Sequence, residues 1–203
     1  MSKLTDLYRE INACQRCLLG RSRTKAVPGE GPENPAILFI GEAPGFHEDQ
    51  QGRPFVGAAG HFLEQLLASI SLTRRDVYIG NVIKCRPPGN RDPFPAEVEA
   101  CKPFLDQQIA LLKPKLVVTL GRYSMARFFA EASISRIHGR AKRVGEVLVL
   151  PLYHPAAALH QPRYRQDIET DFLKIPDLLK EATAPEETPP TESPDEVQQL
   201  SLF

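Results

Sequence analysis

Four short aliphatic or β-branched runs punctuate the chain, at residues 36–40 (AILFI), 77–83 (VYIGNVI), 116–120 (LVVTL) and 147–150 (VLVL). Runs of this length and composition predict strands. Between them apolar residues recur at helical spacing. Phe62, Leu63, Leu66, Leu67 and Ile70 share one face, Val98, Leu105, Ile109 and Leu112 share another less cleanly around Pro103, and residues 121–131 form a third candidate. Strands alternating with helices predict an α/β fold with a parallel sheet between helical layers. Ligands of such folds sit beyond the carboxyl ends of the strands.

With 203 residues and 42% hydrophobic content, the chain suffices for one domain with a substantial core, placed at residues 1–180. The remainder, 181–203, reads EATAPEETPPTESPDEVQQLSLF and is rich in Pro and acid, so an unstructured tail is expected there. The formal charge is zero, but six of the 25 acidic residues lie in that tail. The domain keeps 19 acidic against 25 basic residues, an excess suited to a polyanionic partner. No apolar run approaches the roughly 20 residues of a membrane span, and MSKLTDLYREI reads as the start of an amphipathic helix. A cytoplasmic, nucleoid-associated protein without membrane contact is therefore expected, and a reducing compartment would keep thiols free for metal.

The cysteines are four: Cys14 and Cys17 in a Cys-x-x-Cys pair, with Cys85 and Cys101 far downstream. Four thiolates complete one tetrahedral zinc site or hold one iron-sulfur cluster. Zinc modules usually repeat a tight pair, whereas 15 residues separate Cys85 from Cys101 across a proline-rich stretch. That spacing favours iron-sulfur and leaves zinc as the alternative.

Glycine-rich turns follow the first strand, Gly41-Glu42-Ala43-Pro44-Gly45 and then Gly52-Arg53-Pro54-Phe55-Val56-Gly57-Ala58-Ala59-Gly60. Three strand ends each deliver a polar side chain, Glu42, Asn81 and His154, to one edge of the sheet. With Phe55 nearby, these residues predict a pocket.

Taken together, these motifs resemble the family 4 uracil-DNA glycosylases, the iron-sulfur type. The resemblance spans residues 1 to about 178 and rests on Cys-x-x-Cys after an N-terminal helix, GEAPG, GRPFVG-x-AG, N-V-x-K-C-R-P-P, the second late cysteine and Y-H-P-A. It implies a three-layer α/β/α sandwich around a central four-stranded parallel sheet, one 4Fe-4S cluster on Cys14, Cys17, Cys85 and Cys101, and removal of uracil from DNA at the start of base excision repair. A buried base must be flipped out before its glycosidic bond can be attacked. Phe55 would stack on that base, and the Asn81 amide would donate to uracil O4 and accept from N3–H, a polarity that cytosine reverses. His154 would stabilise charge on O2, and the backbone of Gly41, Glu42 and Ala43 would hold the ring.

The larger family of uracil glycosylases carries an aspartate at the position of Ala43 and a tyrosine at that of Gly45. Glu42 is therefore expected to position the water and Glu48 to exclude a thymine methyl group, with the exchange of these two roles as the alternative. No lysine occupies a pocket position in these motifs, so no Schiff-base lyase step is expected. Leu159 is a candidate wedge, and Lys84, Arg86, Arg91, Arg163 and Arg165 are candidate phosphate contacts on single- or double-stranded DNA. The cluster is expected to shape its loop rather than transfer electrons. The terminal Gln199-Leu200-Ser201-Leu202-Phe203 resembles the pentapeptide that binds the bacterial sliding clamp. Otherwise a monomer is expected. The competing classes are a silent lesion or clamp adaptor and a zinc-stabilised nucleic-acid-binding module; Glu42, Phe55, Asn81 and His154 favour the enzyme.

Overall fold

A computed structural model describes residues 2–184. The chain begins with helices α1 (Lys3–Ala13) and α2 (Leu19–Ser22), then runs through strand β1 (Ile37–Gly41), helices α3 (Phe46–Gln51) and α4 (Ala58–Ser69) and strand β2 (Tyr78–Asn81). Helix α5 (Pro95–Leu112), strand β3 (Leu116–Leu120), helices α6 (Arg122–Ala126) and α7 (Ile134–Ile137), and strands β4 (Lys142–Val144) and β5 (Val147–Leu152) follow. Helices α8 (Pro155–His160), α9 (Pro162–Phe172) and α10 (Ile175–Thr183) close the described chain.

The sheet order is β2-β1-β3-β5-β4, with the first four strands parallel and β4 antiparallel at the edge. Alternate strand residues serve two cores. Phe39, Ile79, Val118 and Leu150 pack with Phe62, Leu63 and Leu66 of α4 and with Ile168 and Phe172 of α9. Leu38, Ile40, Tyr78 and Val117 face Leu4, Leu7 and Ile11 of α1 and Phe104 and Leu105 of α5. Both faces are covered, which is why the strands read as continuous apolar runs. Phe39 stacks on Phe172 at 5.6 Å and so ties the C-terminal helices to the central strand.

The three-layer expectation holds, but the sheet has five strands rather than four. The additional β4 carries Lys142 and Arg143 outward on an exposed edge, so no apolar alternation marks it in the sequence. Helix α5 continues through Pro103 for 18 residues. The third helical candidate shrinks to α6, and the stretch around Leu159 forms two helices meeting at Gln161. Helix α10 extends to Thr183, three residues into the expected tail; the pentapeptide Gln199 to Phe203 lies outside the described residues. Among the described residues no helix is long and apolar enough to cross a membrane.

Chain order reverses between β1 and β3: the chain leaves β1 for β2 on one side and returns to β3 on the other. A crevice opens at the carboxyl ends of strands at such a point.

Candidate active site and cysteine centre

That crevice is a cavity of about 400 Å³ bordered by Glu42 and Ala43 after β1, Glu48, Phe55, Asn81 at the end of β2, and His154 after β5. All the residues expected to form the pocket line it except Gly41, which lies against Asn81 and Phe55. A Cβ on Gly41 would collide with Asn81 Oδ1 and stand 2.7 Å from the Phe55 ring, so only glycine leaves room for both side chains beside β1.

Asn81 is 2% exposed, and its Oδ1 has no hydrogen-bond partner. A buried, unpaired carbonyl of this kind costs about 1–3 kcal/mol, a penalty that a ligand bearing an N–H donor removes. Phe55 adopts φ 52°, a left-handed conformation unusual for a bulky residue. Its loop is held there from several sides. Glu48 Oε1 accepts from the backbone N–H groups of Val56 (2.9 Å) and Gly57 (3.0 Å), and Oε2 accepts from Gly45 N–H (3.1 Å). The Arg74 guanidinium donates to the carbonyls of Phe55 (2.8 Å) and Pro54 (2.6 Å). Glu48 thus borders the cavity with both carboxylate oxygens engaged by its own loop. Nothing in the sequence marks Arg74, which lies 19 residues beyond Phe55.

Two ionisable residues of the cavity, Glu42 and His154, are pushed in opposite senses by one cause. Burial raises the Glu42 carboxyl to about 7, with the Asp92 carboxylate adding to the rise and Arg122 opposing it. Burial lowers His154 to about 4 against the opposing pull of Glu48, so the imidazole is neutral at physiological pH. His154 Nδ1 accepts from Ala156 N–H (3.1 Å) at the start of α8, which leaves the proton on Nε2. Its ring stacks on Phe55 with centroids 5.6 Å apart. Arg122 and Asp92 pair with one another near Glu42, an influence on the site that the motifs did not signal.

The four cysteines border one second, smaller cavity together with Arg16, Arg23, Lys84 and Phe104. All four are free thiols, with Cys85 and Cys101 buried. N–H groups point at the sulfurs: Arg23 Nη1 to Cys85 Sγ (2.9 Å), Lys84 N to Cys101 Sγ (3.3 Å) and Arg16 N to Cys14 Sγ (3.5 Å). Burial raises the Cys85 thiol to about 11 and that of Cys101 as well, so only a bound cation would keep them as thiolates at neutral pH. Among the described residues no three His, Cys, Asp or Glu side chains gather to hold a single metal ion; the sulfurs surround a void.

The basic residues separate into several environments. Lys84 is 1% exposed and cannot reach a phosphate, which corrects its expected role; its Nζ instead donates to Asn81 O and Gln108 Oε1. Arg91 lines the cavity but forms a two-pronged pair with Glu97 (2.7 and 2.8 Å) and lies over the Phe94 ring. Arg86 donates to Asn90 Oδ1 (2.6 Å) and lies over Phe46. Arg163 stacks on Tyr164, and Arg165 lies over Phe62 and pairs with Glu169 (2.9 Å). Leu159, on α8, is 50% exposed.

A family model described as "Uracil DNA glycosylase superfamily" matches residues 28–175. A type-4 uracil-DNA glycosylase of Sulfurisphaera tokodaii is 47% identical over 188 residues, covering 88% of this chain and 86% of the relative. The type-4 enzyme of Archaeoglobus fulgidus is 47% identical over 187 residues (88% and 94% covered), and that of Thermotoga maritima 43% over 184 residues (88% and 96%).

Proposed function

The chain belongs to the uracil DNA glycosylase superfamily, and from that premise we propose that it flips uracil out of DNA and hydrolyses the N-glycosidic bond, leaving an abasic site. The observation that carries the reading is Asn81 on the strand-end cavity with its buried Oδ1 left unpaired by the protein. Uracil N3–H would satisfy it while the Asn81 amide donates to O4. Cytosine offers a bare N3 and an amine at those positions, leaving both Asn81 groups unpaired or opposed.

Chemistry follows from the two shifted ionisable groups. As the C1′–N1 bond breaks, its electron pair passes to the base and negative charge gathers on O2. Neutral His154 donates its Nε2–H to that oxygen, a hydrogen bond that strengthens as charge develops. Water then attacks the oxocarbenium-like C1′ and gives its proton to Glu42, whose elevated pKa makes it a competent base near neutrality. Phe55 supplies a stacking face for the flipped ring. Glu48, with both oxygens bound to its loop, holds that loop at the cavity wall where a thymine methyl would lie. The reading is monofunctional, since no lysine among the described residues lines the cavity.

The cysteine donor set fits a 4Fe-4S cluster held by Cys14, Cys17, Cys85 and Cys101. Four sulfurs that surround a void with N–H groups aimed at them suit a polynuclear centre, and iron would supply the positive charge that holds buried thiolates. Its role is structural, fixing α1, α5 and the segment after β2 to one another. Protein purified anaerobically should be brown with about four irons per chain; an iron-free, zinc-loaded protein of full activity contradicts the assignment. Arg86, Arg163 and Leu159, all at least partly exposed, are the proposed DNA contacts, with Arg91 and Arg165 reaching phosphates only by exchanging their carboxylate partners. Residues 199–203 are proposed as a tether to the bacterial sliding clamp; changing Leu202 and Phe203 to Ala should abolish clamp binding and leave excision from short oligonucleotides intact, and persistence of binding refutes the tether.

Incubation with uracil-containing single- and double-stranded oligonucleotides, followed by alkali cleavage, tests the activity. Its pH dependence tests the roles. A base works deprotonated, so the single-turnover rate should climb as pH rises through about 7 and level off above it. His154, neutral above about 4, should add no limb between pH 5 and 9. Glu42→Gln should erase the inflection and slow cleavage by about 10²-fold. A wild-type rate flat through neutrality assigns the water to another group.

A further inference from the structure

Lys84 lies between the two sites, and neither reading above uses its ammonium group. Enclosed at 1% exposure, it must find partners within the protein. Nζ donates to the backbone carbonyl of Asn81 (2.7 Å) and to Gln108 Oε1 (2.5 Å), while the backbone N–H of the same residue donates to Cys101 Sγ (3.3 Å). Gln108, also 1% exposed, is fixed in turn by donating to Pro28 O (2.7 Å) and Tyr78 Oη (2.9 Å), and Tyr78 Oη pairs with Tyr8 Oη at 2.6 Å. A continuous network, buried except at Tyr8, therefore runs from α1 and α5 to the last carbonyl of β2.

The end of that network is the informative part. At Asn81 the strand stops; Val82 N–H and Ile83 N–H turn back onto Gly41 O (3.0 Å) and Glu42 O (3.1 Å). The Asn81 carbonyl is taken instead by a side chain reaching back three residues. A lysine suits this task because its slim four-carbon stem delivers several donors to one point, where the planar guanidinium of arginine could not turn. On the other side of the same Cα lies the amide with its unpaired Oδ1.

We propose that Lys84 is a positioning residue for base selection: it pins the backbone of Asn81 to the cysteine-bearing segment and so fixes the amide that distinguishes uracil from cytosine. The proposal rests on reading the cavity as the uracil site. Displacing a recognition group by about 1 Å can cost on the order of a hundredfold, so a buried tether at its backbone is a direct control on selectivity.

Lys84→Met keeps the length of the stem and removes the donors. The full-length protein is measured for affinity toward an oligonucleotide carrying non-hydrolysable 2′-fluoro-2′-deoxyuridine, toward its 2′-fluoro-2′-deoxycytidine counterpart and toward unmodified DNA, alongside its visible absorbance. The expected result is a loss of about tenfold to a hundredfold in the uracil-over-cytosine preference, with unmodified-DNA affinity and absorbance unchanged and with kcat reduced more than KM. An unchanged preference, or a loss that merely tracks the absorbance, overturns the proposal. Gln108→Leu removes the second acceptor of Nζ from 24 positions away; it should shift the preference in the same direction by less, and it decides the matter if Lys84→Met does not fold, an unchanged preference again counting against the tether. Wild-type protein that fails to prefer the uracil analogue refutes the uracil reading rather than the role of Lys84.

Discussion

A buried carbonyl without a partner is the constraint on which the site depends. Asn81 Oδ1 is withdrawn from water and left unpaired at the end of β2, and the surrounding residues keep it so. Gly41 lacks the Cβ that would strike it, the Phe55 ring packs against the same glycine, and Arg74 and Glu48 hold the Phe55 loop in its left-handed turn. Such an arrangement lowers the stability of the free protein by about 1–3 kcal/mol and returns that free energy only to a ligand of the right polarity. In the proposed reading, specificity resides in this penalty built into the unliganded fold.

The same desolvation divides the chemical work. Burial disfavours charge, so in one cavity it raises the Glu42 carboxyl and lowers the His154 imidazole, which suits the proposed roles of a base near neutrality and a neutral donor. Secondary structure adds the finer control. The first N–H of α8 takes His154 Nδ1 and thereby selects the tautomer that presents Nε2–H to the cavity. The cysteine centre stands behind this wall, joined to it by the short segment from Asn81 to Cys85.

Much of this was legible in the chain because strand ends and glycines carry local signals. The runs at 37–41, 78–81, 116–120 and 147–152 are buried on both faces and so stand out as apolar blocks, and the residues immediately after them, Glu42 and His154, together with Asn81 at the end of its strand, do line one cavity. The remainder depends on contacts between distant segments. Arg74 reaches the Phe55 loop across α4, Asp92 in a loop and Arg122 at the start of α6 bias Glu42, and β4 is held by its neighbour rather than by its own pattern. Lys84 shows the limit most clearly. Beside Cys85, Arg86 and Arg91 it reads as part of a basic surface, yet the chain turns it inward, because a strand-end carbonyl and Gln108 are there to receive it.

If the polarity of Asn81 selects the base, exchanging that polarity must change the choice. Asn81→Asp keeps the shape of the side chain and replaces the amide donor with an oxygen that can accept from the cytosine amine. Single-turnover excision of uracil and of cytosine from otherwise identical oligonucleotides is the measurement. The account predicts that the variant slows on uracil, acts detectably on cytosine, and lowers the ratio of the two rates by about two orders of magnitude or more. A variant that retains the wild-type rate on uracil and remains inert toward cytosine would show that another group selects the base.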